Sequence, residues 1–133
     1  MTASVVEIYR RLRDWLAPEL ADLVGGVYAD VAPEGAPYPF VVIELADVRD
    51  ISFLGGQPSL VRLVLATHIV DNEGLERIAA IRERIERRLD QLLEDGETGL
   101  SRPRRVRQRV AAEPVDGQVV RVETTEYEFL MAG

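Results

Sequence analysis

The sequence predicts an α+β fold, a mostly antiparallel sheet with two helices on one face, in the order α-β-β-β-α-β-β. Two observations lead there. Residues 5–16 and 73–94 carry apolar side chains at helical spacing, while five other stretches alternate or run apolar as strands do. Glycine, proline and aspartate punctuate the junctions between them. At 133 residues the chain reads as one domain, 1–133, long enough to bury a core without disulfides or metals.

Val5, Ile8, Tyr9, Leu12, Trp15 and Leu16 form the stripe of the first helix, with Ser4 and Glu7 spaced as a capping box. Pro18 is expected to end that helix and open a short second turn that stops at Gly25-Gly26. "VYADVA" (27–32) reads as a short strand, Phe40 to Val48 as a strong one, and "SLVRLVLATHIV" (59–70) as another. "RDISFLGGQP" lies between the last two as a hairpin connection. Asp71 or Asn72 is the expected cap of the long helix, whose stripe is Leu75, Ile78, Ile81, Ile85, Leu89 and Leu92. "RVRQRVAA" and "QVVRVETTEYEFLM" close the chain, joined by a Pro114-Val115-Asp116-Gly117 turn. The expected core includes Leu12, Trp15, Val41, Val61, Leu63, Ile78 and Ile85.

Two features point outward from this core. Leu60, Val64, Ala66 and Val70 lie on the second face of their strand, which two helices on the first face leave uncovered. A neighbouring subunit is the expected cover. In the last strand the apolar positions switch from even (Val120, Val122) to odd (Tyr127, Phe129, Met131). That switch implies a bulge near Thr124-Thr125-Glu126, or a strand end leaving its own sheet.

Catalytic chemistry finds nothing to stand on. There is no cysteine, so no thiolate nucleophile and no disulfide, and His68 is the only histidine. No metal-ligand spacing, nucleophile elbow, phosphate loop or dinucleotide fingerprint occurs. Catalytic, metal and cofactor-binding residues are all expected to be none, and the protein not an enzyme. Pairs such as Glu73–Arg77 and Glu83–Arg87 read as i,i+4 support on a solvated helix face. The first residues lack the apolar block of a signal peptide, and no apolar run reaches the roughly 18 residues of a membrane span. A soluble protein with no membrane partner is expected.

The net charge of −7 argues against a general nucleic-acid binder. All 16 basic residues are arginine, a side chain suited to interfacial ion pairs. "SRPRRVRQRV" concentrates them: alternation puts Arg105, Arg107 and Arg109 on one face, with Val106 and Val110 entering the core. The arginines are expected to meet acidic rows on the long helix and on Glu123, Glu126 and Glu128 across a subunit or tail-partner junction. Phe53 and Leu54, at the tip of the hairpin connection, are the apolar part of the expected contact surface.

The passage "VYADVAPEGAPYPFVVIE" (27–44) is the most telling. Pro33, Pro37 and Pro39 hold it extended and deliver Phe40 and Val41 into the sheet. With its strand, proline turn and following strand, it resembles the signature of the bacteriophage tail terminator, or tail completion, proteins of phages, prophages and gene transfer agents. The match runs in order and spacing from about Leu12 to Leu130. The resemblance implies a structural virion protein made in the bacterial host cytoplasm and sited at the head–tail junction. There it would cap the tail tube as a ring, usually hexameric, and offer a surface to a head-completion or connector protein. Genome DNA would pass through the bore without specific binding, and no cofactor is implied. The arginine density of the fourth strand, "RVRQRVAA", exceeds the family pattern. Two other readings remain: another neck completion protein, or a small cytosolic module that binds an acidic partner.

Overall fold

The apolar stripes become two helices, α1 (Val5–Leu20) and α2 (Leu75–Asp90). The strands are β1 (Gly26–Ala29), β2 (Phe40–Asp50), β3 (Leu60–Asp71), β4 (Arg104–Val115) and β5 (Gln118–Ala132). The computed structural model describes residues 5–50, 60–91, 101 and 103–132. The strands form one sheet in the order β1-β2-β3-β5-β4, antiparallel throughout except for the β1–β2 pair. This is the expected α+β arrangement. Both helices contribute to one core with the odd-numbered side chains of β3 and β5: Ile8, Leu12 and Leu16 from α1, Ile78, Ile81 and Ile85 from α2, over Leu63, Leu65, Ile69 and Phe129. Trp15 and Val61 border that core half-buried, and Arg88 lies over the Trp15 ring, 3.9 Å from its centroid.

Several local readings change. Helix α1 runs on through Pro18, which sits in its last turn. Helix α2 starts at Leu75, after Gly74, and neither Asp71 nor Asn72 caps it. The Asp71 carboxylate instead accepts the Asn72 N–H and the Arg77 guanidinium, and it is fully buried. Arg77 also reaches Glu73 at 3.0 Å, the expected i,i+4 pair. Pro114 and Val115 belong to β4, so the closing hairpin has the two-residue turn Asp116-Gly117. Both turn residues have positive φ (49° and 80°), as the tight hairpin turn matched to strand twist demands.

The proline passage is explained by the parallel β1–β2 pair. Parallel neighbours cannot share a hairpin, so residues 30–39 must carry the chain back along the sheet before β2 begins. Gly25 lets this return pass close by: a Cβ there would stand 2.7 Å from Pro37 Cγ and 2.8 Å from its carbonyl oxygen. The Gly25 N–H bonds the Pro39 carbonyl at 2.7 Å, and the Asp30 N–H bonds that of Ile43 at 2.9 Å. Tyr28 and Tyr38 pack on Phe40, with centroids 6.0 and 5.7 Å away.

Tyr9 fastens α1 to this corner. Its hydroxyl lies 3.0 Å from Asp30 Oδ1 and bonds the Ile43 carbonyl. Burial, then the Asp30 carboxylate, pushes the phenol from 10 up to about 12. Between those values the unfolded chain loses the proton before the folded one, so stability should fall as pH rises above 10. Tyr9→Phe should cost about 1 kcal/mol at neutral pH through the lost hydrogen bond. It should also make the alkaline decline shallower, read from urea melts across pH 8–12.

Candidate interaction surface

The two faces of the sheet differ sharply. On the helix side, polar residues are buried where α2 crosses β5. Arg82 Nη1 lies 2.7 and 2.6 Å from the two oxygens of Glu123, itself 4% exposed. Glu123 and burial act oppositely on Arg82, and the hydrogen-bonded carboxylate wins, raising its pKa. Further along, the Tyr127 hydroxyl donates to Glu86 at 3.0 Å, and Arg105 reaches the same oxygen at 3.3 Å. Burial first, then Glu86, raises the Tyr127 pKa, so the phenol remains a donor. A polar cleft of about 210 Å³ opens beside them, lined by Glu86, Leu89, Asp90, Pro103, Arg105 and Tyr127.

This buried polar patch accounts for the parity switch in β5. The strand pairs with β3 without interruption from Arg121 to Ala132, so it contains no bulge opposite β3 and does not leave its sheet. Glu123 and Thr125 occupy the helix side, with Arg82 reaching Glu123 from α2.

The far side of the sheet carries a lattice of charges. Arg62 bridges Glu128 (2.5 Å) and Asp47 (3.7 Å), while Arg104 joins Glu128 at 3.5 Å and Arg49 joins Asp47 at 3.5 Å. His68 ties three strands together, with Nε2 2.6 Å from Glu44 and Nδ1 2.9 Å from Thr124. A carboxylate can only accept, so Nε2 carries a proton there. Val64 and Ala66 are buried within the single chain, between Asp47 and Glu128 and between Glu44 and Glu126 in the strand register. A second subunit is therefore not needed to cover these two residues.

Strand β4 is the bare edge of the sheet: every residue from Arg104 to Pro114 is exposed. Val106 and Val110 are 38% and 51% exposed and do not enter the core. The shared arginine face is corrected as well. The register with β5 slips between Arg105 and Arg107, leaving Val106 as a bulge. Arg105 therefore stands beside Tyr127 on the helix side, whereas Arg107 and Arg109 stand beside Glu126 and Thr124 on the far side. Glu126 and Glu128 are partners within the chain, to Arg107 at 3.8 Å and to Arg62 and Arg104. Arg109 makes no ion pair among the described residues. Phe53 and Leu54 lie outside the described residues.

No group of three or more histidine, aspartate or glutamate side chains stands together as a metal site among the described residues. No described helix is long and apolar enough to cross a membrane. The sequence reading missed the Arg82–Glu123 and Arg62–Glu128 pairs. The only signal of the first was the polar interruption in β5.

Comparison with known proteins now adds a lineage to this geometry. Residues 6–125 match the family described as tail completion protein gp17. The chain belongs to that family. The resemblance seen in the proline passage is thereby confirmed, and this tail completion protein is a structural component of phage-type tails. Comparison with curated proteins returns no match. A solved structure described as the virion of a native gene transfer agent particle shares the fold. Its TM-score is 0.55 at 20% identity, over 95% of this chain and 92% of that one.

Proposed function

We propose that this tail completion protein is a tail terminator. It assembles as a ring, hexameric in the family pattern, on the last ring of the tail tube. There it ends polymerisation and gives a head-completion or connector protein its docking surface at the head–tail junction. The family match over residues 6–125 carries this reading, and the likeness to a chain of a gene transfer agent particle supports it. The structure supplies two things a terminator needs. One is a fold braced by buried ion pairs; the other is an edge strand exposed for contact from Arg104 to Pro114. The net charge of −7 suits a bore through which DNA slides, because each phosphate gripped is an attraction that must be broken for the genome to move.

The test is to add the purified chain to tail-tube protein during polymerisation. Tubes should stop lengthening and carry an extra ring at one end in negative-stain micrographs. Tubes that grow undisturbed, with bare ends, would refute the proposal.

A further inference from the structure

The Val106 bulge decides on which side of the β4 edge its arginines stand. Without the slip, Arg107 and Arg109 would stand on the side of Arg105, beside α2 and its carboxylates. With it, Arg104, Arg107 and Arg109 form an exposed row on the far side. There Arg104 and Arg107 also reach Glu128 and Glu126 of their own chain at 3.5 and 3.8 Å, and Arg109 makes no ion pair among the described residues. On the helix side, the outer surface of α2, which also exposes Arg87, carries Glu76, Glu83 and Asp90. These are seven residues apart, so they stay within about 20° of one another per repeat along one stripe. All three are exposed and none joins an ion pair among the described residues. The lengths also agree: fourteen residues of helix span about 21 Å, and Arg104 to Arg109 about 16 Å of strand.

We infer that two copies of this chain associate head to tail, the basic β4 row of one seated on the acidic α2 stripe of the next. The inference rests on the ring reading and names its junction. Self-pairing of β4 edges is the obvious alternative, and it is opposed on two counts. An antiparallel β4–β4 pair would set arginine against arginine, and like charges directly opposite destabilise a sheet. The bulge and the charges are also the devices by which an edge strand refuses another strand. A contact between two different surfaces leaves one of each free at every addition, which is the geometry that generates rings. Exposed charges are screened by salt, so the junction weakens as ionic strength rises.

The absence of native cysteine makes the junction directly readable. Ala80 is exposed beside the acidic stripe, and Ala111 is exposed on the far side of β4 next to Arg109. Neither substitution removes a charge. Chains carrying Ala80→Cys and Ala111→Cys are mixed in the presence of tail tubes and oxidised. The mixed disulfide should exceed both like-with-like products several-fold and fade at high salt. A statistical mixture, or a dominant Ala111→Cys homodimer, overturns the junction. Wild-type chain that caps tubes while the mixed product fails to form refutes the junction and leaves the terminator reading standing. A mixed product formed by chains that never cap tubes supports the junction and refutes the terminator reading. Arg107→Glu/Arg109→Glu should abolish assembly. If that variant assembles normally and instead loses retention on duplex DNA, the row is a phosphate contact and the junction is wrong.

Discussion

Arg82→Ala should lower the unfolding free energy by about 3–5 kcal/mol, the usual consequence of stranding one member of a buried ion pair. Arg82 is the partner of Glu123, whose side chain is 5% exposed between α2 and the sheet. Without the guanidinium the carboxylate stays enclosed and its hydrogen bonds are lost. The double variant Arg82→Met/Glu123→Met should recover most of the loss, because replacing both charges with apolar groups of similar size is often near neutral. Urea denaturation of the three chains measures this. A single variant as stable as wild type would mean that water reaches Glu123 freely.

Phe129→Ala is expected to cost about 3–5 kcal/mol, from lost apolar burial and the cavity left behind. Phe129 is fully buried on β5, beside Leu63 in the register and within the core cluster to which both helices contribute. Val110→Ala, at an exposed position of the edge strand β4, should change stability by no more than about 0.5 kcal/mol. The pair of variants therefore tests where the core ends. Equal losses would show that β4 is covered after all.

The contrast between these two positions shows what could be read from the sequence. Helices and strands announce themselves by local periodicity, and the order of elements followed from it. Val106 and Val110 alternate with arginines just as core residues would. Their exposure depends on β4 being last in the sheet, which alternation does not encode. Two packed helices cover about 20 Å of sheet, roughly four strands at 4.8 Å spacing, and the fifth is left bare. The bulge at Val106 was equally hidden, because a register slip is a property of two strands and of where Tyr127 and Glu126 stand opposite. That slip decided the candidate surface by moving Arg107 and Arg109 away from Arg105. Glu126 and Glu128 were readable as acidic and near the arginines. That they serve as partners within the same chain required β5 to lie between β3 and β4. The buried Arg82–Glu123 pair left only an indirect trace, the polar break in an otherwise apolar strand.

Cryo-electron microscopy of complete particles bears most directly on the terminator reading. The chain should be found as a single ring layer at the head-proximal end of the tail tube, in contact with tube protein on one side and neck protein on the other. Density for the chain at the distal tip, in repeated layers along the tube, or nowhere in the finished particle would contradict it.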